Sequence, residues 1–398
     1  MKESLFLSQL AKDATEWETG NLRRERKVLV LPAGPRIQLL GNPHTSLSFL
    51  SNDYLGLASH PDLKDAISGA AHSWGAGAAS SPMVSGHMKC HADAEQALAA
   101  FTGFEEALLF ITGYMANLAV ITSLLTSPED VVFSDHLNHA SLIDACRLSR
   151  ARIERYPHLD MLALSESLKT LPARRRLIVT DAVFSMDGDR APLASLLELA
   201  EEFDALILID DAHGFGVLGA QGRGSVSEEQ VYSDRVILMA TLGKAAGLSG
   251  AFVASSAFLV EYLLQHARTY VFSTAPSPAL VGAIPTSLKL IQEADQQRSQ
   301  LRMLASRLSD AVSASRYPFR FYGTPIVPVI VGDEGETMCC ARLLAEQGIW
   351  VAGIRPPTVP VGLSRLRISL SAAHTFQDVD LLVQSARSVG FFKERRGA

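Results

Sequence analysis

Short apolar runs and helix-length amphipathic segments alternate along most of the chain. The runs 131–135 ("VVFSD"), 176–184 ("RLIVTDAVF"), 205–213 ("ALILIDDAH"), 236–244 ("VILMATLGK") and 251–255 ("AFVAS") are apolar and rich in β-branched residues. Runs apolar on both faces predict strands of a parallel sheet buried on both sides. Between two of them, "PLASLLELAEEFDA" (192–205) sets Leu193, Leu196, Leu197 and Ala200 at i, i+3, i+4 and i+7. That is the apolar stripe of a helix, with Pro192 ahead as a first-turn residue. Strand–helix–strand alternation predicts an α/β domain on a mostly parallel sheet.

The pattern restarts near residue 286. "PIVPVIVGD" and "RLRISLSA" read as strands, "QDVDLLVQSARSV" as a closing helix, and "ETMCCARLLAEQG" as a helix stopped by Gly348. The predicted organisation is an N-terminal arm (1–45) of one helix plus irregular chain, a large domain (46–285) and a smaller C-terminal α/β domain (286–398).

Composition narrows the function classes. With 47% hydrophobic and 20% charged residues among 398, the chain has ample material for a large core. A net charge of −6 argues against nucleic acid as the main partner, because phosphate contacts need clustered Lys and Arg. The cluster "PARRRL" (172–177) is short and reads as a solvated loop. No run approaches a membrane span, and the acidic first 20 residues do not read as a signal peptide. Cys90, Cys146, Cys339 and Cys340 show no metal-ligand spacing, so a reduced cytoplasmic protein is expected. Asp135, His136 and His139 lack the carboxylate cluster a metal site needs, and no metal is expected.

Ligands of open α/β sheets bind outside the carboxyl ends of the strands. There the runs end on Asp181 and Ser185, on Asp210 and His213, and on Thr241 and Lys244. One polar strand end reads as chain turning toward water; a convergence of carboxylate, imidazole, hydroxyl and amine reads as a site. Lys244 sits in "ATLGKAAGLSG" among small residues. It could be an exposed turn lysine, although Ala245, Ala246 and Gly247 enclose it. A P-loop is excluded, because Leu238 stands where its first glycine belongs and Ala245 follows the lysine. A Schiff-base lysine needs a desolvated amine, and pyridoxal phosphate also needs a carboxylate at its ring nitrogen, which Asp210 supplies.

These motifs resemble the α-oxoamine synthase family of fold-type I pyridoxal-phosphate enzymes. The resemblance is carried by "FLSNDYLGLASHP", "SDHLNHASLIDACRLSRA", "VTDAVFSMDGDRAPL", "LILIDDAHGFGVLGAQGRGS" with "TLGK", and "IRPPTVPVGLSRLRISLSAAHT". It implies a PLP-dependent transferase in which Lys244 holds pyridoxal 5'-phosphate and acts as a base. Asp210 would pair with the ring nitrogen, His139 would stack on the ring, and His213 and Ser185 would flank its hydroxyl. Gly113, Tyr114 and Thr241 would bind the phosphate, joined by Thr274 of a neighbouring subunit, which makes a homodimer with shared sites. Arg367 would hold the substrate carboxylate; Asn52 and Arg23 would approach from the arm, and Arg355 would help with the acyl chain.

Within the family, "GKAAGLSGAFVASS", "EYLLQHARTYVFSTAPSPA" and "RPPTVPVG" are most similar to members of biotin biosynthesis. Those condense L-alanine with a pimeloyl thioester, on coenzyme A or acyl carrier protein; members using glycine or serine are the alternative. Three departures stand out: "GAGAASSPMVSG" (75–86) lacks an arginine common in relatives, Asp181 replaces a common Glu, and Phe215 replaces a small residue. A nicotinamide-binding reading fails, since "GAGAAS" has Ser80 in place of the third glycine and follows a helix-like segment. A non-catalytic partner subunit is disfavoured by the retention of Lys244, Asp210, His139 and Arg367.

Overall fold

The computed structural model describes residues 4–19, 26–313, 315, 317 and 321–391, with backbone alone for 16–19. Its centre is a seven-stranded sheet in the spatial order Glu106–Phe110, Ala251–Ser255, Val236–Thr241, Leu206–Asp210, Arg176–Asp181, Val131–Asp135, Arg152–Tyr156. Only Ala251–Ser255 runs against its neighbours. The apolar runs are explained by the two cores. Ile207 and Ile209 pack into one and Leu208 into the other, so every position after Leu206 loses its contact with water. Register sets Asp181 beside Asp210 and Asp210 beside Met239. The polar strand ends therefore form one row along the carboxyl edge.

Two strands are absent from the sequence-based expectation, Glu106–Phe110 and Arg152–Tyr156. Both are edge strands. "RIERY" carries the charges that protect an exposed edge, which erases the apolar signal on which the expectation rests. The expected first-turn proline is instead the cap position: the helix runs Leu193–Glu202 after Pro192, with Leu193, Leu196 and Ala200 buried. "PARRRL" is not a free solvated loop. Arg174 forks onto the buried Asp130 at 2.8 Å from both Nε and Nη2, and Arg175 donates to the Leu124 carbonyl at 2.7 Å.

The N-terminal segment forms the helix Leu5–Thr19, then two short strands, Arg36–Gln38 and Thr45–Ser48, rather than irregular chain alone. Ile349–Trp350 joins them in a three-stranded sheet. Arg36 also reaches Asp378 at 2.6 Å, at the N-terminus of the last helix, Phe376–Ser388. A second small sheet orders Ile326–Gly332, Ser364–Ser369 and Ala352–Ile354, all antiparallel, with helices Asp295–Ser313, Glu334–Glu346 and Phe376–Ser388 packed nearby. Gly348 follows the middle helix at φ +77°, as its stop signal predicts. Among the described residues no helix is long and apolar enough to cross a membrane.

Candidate active site

Asp210 ends its strand almost fully buried. Its Oδ2 accepts from Asn117 Nδ2 at 2.8 Å and its Oδ1 from the Ala212 N–H at 3.1 Å. Asn117 comes from Gly113–Leu124, an apolar helix buried on most of its surface, and also donates to Ser141 Oγ at 2.8 Å. On the next strand Asp181 accepts the His139 N–H at 2.7 Å, and Asn138 ties the same loop to the Val179 carbonyl at 2.8 Å. His139 is thereby presented at the start of the helix Ala140–Leu148, its Nδ1 2.7 Å from Ser141 Oγ. Burial, then the charge of Asp210, holds the Asp181 carboxyl well above the usual range, since two adjacent buried carboxylates resist ionising together.

The small residues around Lys244 have a packing reason. Leu242 and Gly250 close the loop at 2.9 Å, Ala245 and Ala246 are buried, and Gly247 sits at φ +68°. A Cβ on Gly247 would lie 2.6 Å from the Leu57 carbonyl carbon, so only glycine lets the two backbones approach. The loop presses the amine inward, where its Nζ is 2.7 Å from His213 Nε2. Burial lowers the Lys244 pKa to about 8, although Asp210 and Asp181 pull it upward. Burial, with Lys244, Arg367 and His139 around it, puts His213 well below the ordinary imidazole value, so the ring is neutral.

Arg367 lies on the strand Ser364–Ser369 at 6% exposure. Its Nε donates to the Ser185 carbonyl at 2.5 Å, Nη1 to Ser369 Oγ at 2.6 Å and Nη2 to Asn52 Oδ1 at 3.2 Å. No carboxylate among the described residues pairs with it. Two positions earlier, the equally buried Arg365 is paired with Asp187. A buried guanidinium without a counter-ion is costly, and a bound anion would relieve that cost.

A cavity of ≈ 180 Å³ opens over the row of strand ends, lined among others by Gly113, Tyr114, His139, Asp210, Thr241 and Lys244. The helix Gly113–Leu124 begins at its wall: Thr112 Oγ1 caps the Met115 N–H, while the N–H groups of Gly113 and Tyr114 meet no described partner. Two open N–H groups at a helix start, a buried carboxylate across the cavity and a lowered amine between them fit the phosphate, ring nitrogen and aldehyde of pyridoxal phosphate. Of the expected residues, His213 also lines the cavity, and Ser185 and Asn52 meet Arg367 beside it. Thr274 is exposed and outside the cavity, and Arg355 contacts Met338 Sδ at 3.2 Å away from it. Arg23 lies outside the described residues. Thr241 turns its hydroxyl to the Gly250 carbonyl at 3.0 Å. Phe215, one of the departures, is core: its ring sits edge-on to Phe101 and Phe252. The 75–86 stretch braces the loop after Thr274, with the Ser80 carbonyl accepting from the Ala275 N–H at 2.9 Å. Tyr54 stands in the motif "FLSNDYLGLASHP" and Asn117 in the helix after Tyr114, but nothing local marks either as a hydrogen-bond partner of His213 or Asp210. No group of three or more His, Cys, Asp or Glu among the described residues is placed to hold a metal.

Residues 45–385 match the family model described as aminotransferase class I and II. The 8-amino-7-oxononanoate synthase of Nitrosomonas eutropha is 52% identical over 380 residues, 95% of this chain and 97% of the relative. The chain belongs to the 8-amino-7-oxononanoate synthase family. Its members are pyridoxal-phosphate-dependent acyltransferases of biotin synthesis. The solved 8-amino-7-oxononanoate synthase of Francisella tularensis superposes with a TM-score of 0.75 at 29% identity, over 87% of this chain and 99% of that one. A serine palmitoyltransferase solved with PLP superposes more closely, with a TM-score of 0.90 at 28% identity over 98% and 100%. Shape alone therefore does not separate the family from its relatives. Sequence identity does.

Proposed function

We propose that the chain condenses L-alanine with a pimeloyl thioester, carried by coenzyme A or acyl carrier protein. The products are 8-amino-7-oxononanoate, carbon dioxide and the free thiol. The observation that carries this reading is Arg367, buried without a carboxylate of its own and joined by hydrogen bonds through Asn52, Tyr54 and His213 to the Lys244 amine. An α-amino acid brings the carboxylate that Arg367 lacks. When bound, pyridoxal phosphate supplies an electron sink for the carbanion formed at the α-carbon.

Lys244 is the residue that would hold the cofactor and, as a neutral amine, take the α-proton. Asp210, pinned by Asn117, would keep a proton on the ring nitrogen, and His139 would cover the ring face. His213 and Ser185 would stand beside the ring hydroxyl, and the N–H groups of Gly113 and Tyr114, with Thr241, would take the phosphate. Arg367 would grip the substrate carboxylate until it leaves as carbon dioxide, with Asn52 and Arg23 on the substrate side and Arg355 toward the acyl chain. Thr274 faces solvent in the single chain, which supports its serving the site of a second subunit in a homodimer. We divide the chain into the arm 1–45, a cofactor-binding domain 46–285 and a small domain 286–398, the last carrying the carboxylate clamp. Four free thiols support a cytoplasmic location.

The test offers alanine, glycine and serine with pimeloyl-CoA to the holoenzyme and follows product by mass spectrometry. Alanine is expected to be strongly preferred; preference for glycine or serine moves the chain to another branch. Arg367→Ala should weaken alanine binding by about 2–5 kcal/mol, since it removes one member of a desolvated charge pair. The cofactor absorbance should be unchanged. Unaltered alanine affinity in that variant refutes the clamp.

A further inference from the structure

Tyr54 is fully buried, and its hydroxyl lies 2.6 Å from His213 Nδ1 and 3.2 Å from Asn52 Oδ1. On the other side of the ring, His213 Nε2 is 2.7 Å from Lys244 Nζ. The hydroxyl has one proton for two acceptors, and a neutral imidazole also carries one ring proton. Two ring tautomers are then available, and they treat the Lys244 amine differently. In the first, Tyr54 donates to Asn52 and accepts from His213 Nδ1–H, which leaves Nε2 bare to accept an N–H of Lys244, charged or neutral. In the second, Tyr54 donates to His213 Nδ1, and Nε2–H donates to the lone pair of Lys244 as a neutral amine. An Nε2–H facing the ammonium would set N–H against N–H, a cost that burial makes large, so only the Nδ1–H tautomer admits the charged amine.

We propose that Tyr54 sets the ring tautomer of His213 and, through it, the protonation state of Lys244. It is a positioning residue that acts on the amine without touching it. The charged and titratable groups facing the ring are Lys244, Arg367, His139 and Tyr54 itself. Burial keeps the Tyr54 hydroxyl protonated, with its pKa at about 12 despite Arg367, so it remains a donor throughout the working range. Because Arg367 Nη2 shares Asn52 Oδ1 with Tyr54, the carboxylate clamp and the amine stand at opposite ends of one hydrogen-bond chain. The functional meaning rests on Lys244 being the cofactor-bearing amine. The hydrogen-bond logic does not.

Phenylalanine at 54 keeps the volume and removes the hydroxyl. A bare lone pair at Nδ1 is tolerated better than a bare N–H, so Tyr54→Phe favours the Nε2–H tautomer and opposes the ammonium. Pulse acetylation of the cofactor-free chain with acetic anhydride, read on the Lys244 peptide by mass spectrometry, gives the midpoint of its titration. Tyr54→Phe should move that midpoint down by about one pH unit; an unchanged or raised midpoint overturns the proposal. If the variant fails to fold, the wild-type chain answers alone. The 15N spectrum of His213, assigned against His213→Gln, should show Nδ1–H with Nε2 bare below the pH at which Lys244 loses its proton. A ring that is Nε2–H while Lys244 is charged also overturns it. Should borohydride fix pyridoxal phosphate on a different lysine, the reading of Lys244 fails while the tautomer result stands by itself.

Discussion

Replacing His158 by Gln tests how the loop bearing His139 is held. The ring is clamped between two buried carboxylates, Nδ1 2.8 Å from Asp135 and Nε2 2.7 Å from Asp189, with Phe184 edge-on at 4.4 Å. Asp135 also accepts the N–H groups of Leu137 and Leu159, at 2.9 and 3.0 Å, so the bridge organises the chain leading to His139. Burial alone would lower the His158 pKa, but the bonds and charges of Asp135 and Asp189 override it and raise it to about 10. From an ordinary 6.5 this is roughly 3.5 units, a ceiling of about 5 kcal/mol at 1.36 kcal/mol per unit. Because the folded value is raised, the stabilisation is complete below pH 6.5, declines above it and is gone once the pH passes about 10. At neutral pH, with a ring edge open to water, about 3 kcal/mol should remain. For 398 residues unfolding together that is a Tm drop of about 4 °C. Thermal melts of wild type and His158→Gln in a pH series should show the gap closing toward pH 10. A gap that stays constant from neutral to alkaline pH would mean the ring is not held as an imidazolium.

Lys244, with a pKa of about 8, should react with pyridoxal phosphate at neutral pH roughly 300-fold more readily than its ordinary value of 10.5 allows. Borohydride trapping and peptide mapping should show Lys244 labelled far ahead of the exposed Lys89; equal labelling defeats the prediction. Gly224→Ala should cost on the order of 2–4 kcal/mol, from strain plus overpacking. Gly224 sits at φ 98°, ψ −175°, and a Cβ there would lie 2.2 Å from Asp211 Oδ2, which accepts the Ser225 N–H at 2.8 Å. A variant melting within 1 °C of wild type, about the shift from 1 kcal/mol, would show that the turn relaxes freely.

The apolar runs point to the mostly parallel sheet and to a row of polar strand ends that carries Asp210 and Lys244, whereas His139 enters only through the family resemblance. The runs follow from a local rule: a short apolar run rich in β-branched residues and bounded by turn signals reads as a buried strand, and ligands of such sheets bind at the carboxyl ends. What each group is paired with depends on the folded chain. "RLRISL" presents Arg365 and Arg367, both buried, yet Arg365 meets Asp187 while Arg367 meets no carboxylate among the described residues. The edge strand "RIERY" and the strands of the arm were illegible because their stabilising contacts are partner strands rather than their own side-chain period. Asn117 reaches Asp210 across 93 residues, Tyr54 reaches His213 across 159, and Asn52 reaches Arg367 across 315. Periodicity reports on neighbours two to four residues apart. A hydrogen bond that fixes a tautomer depends on a distance of less than 3 Å that only the folded chain creates.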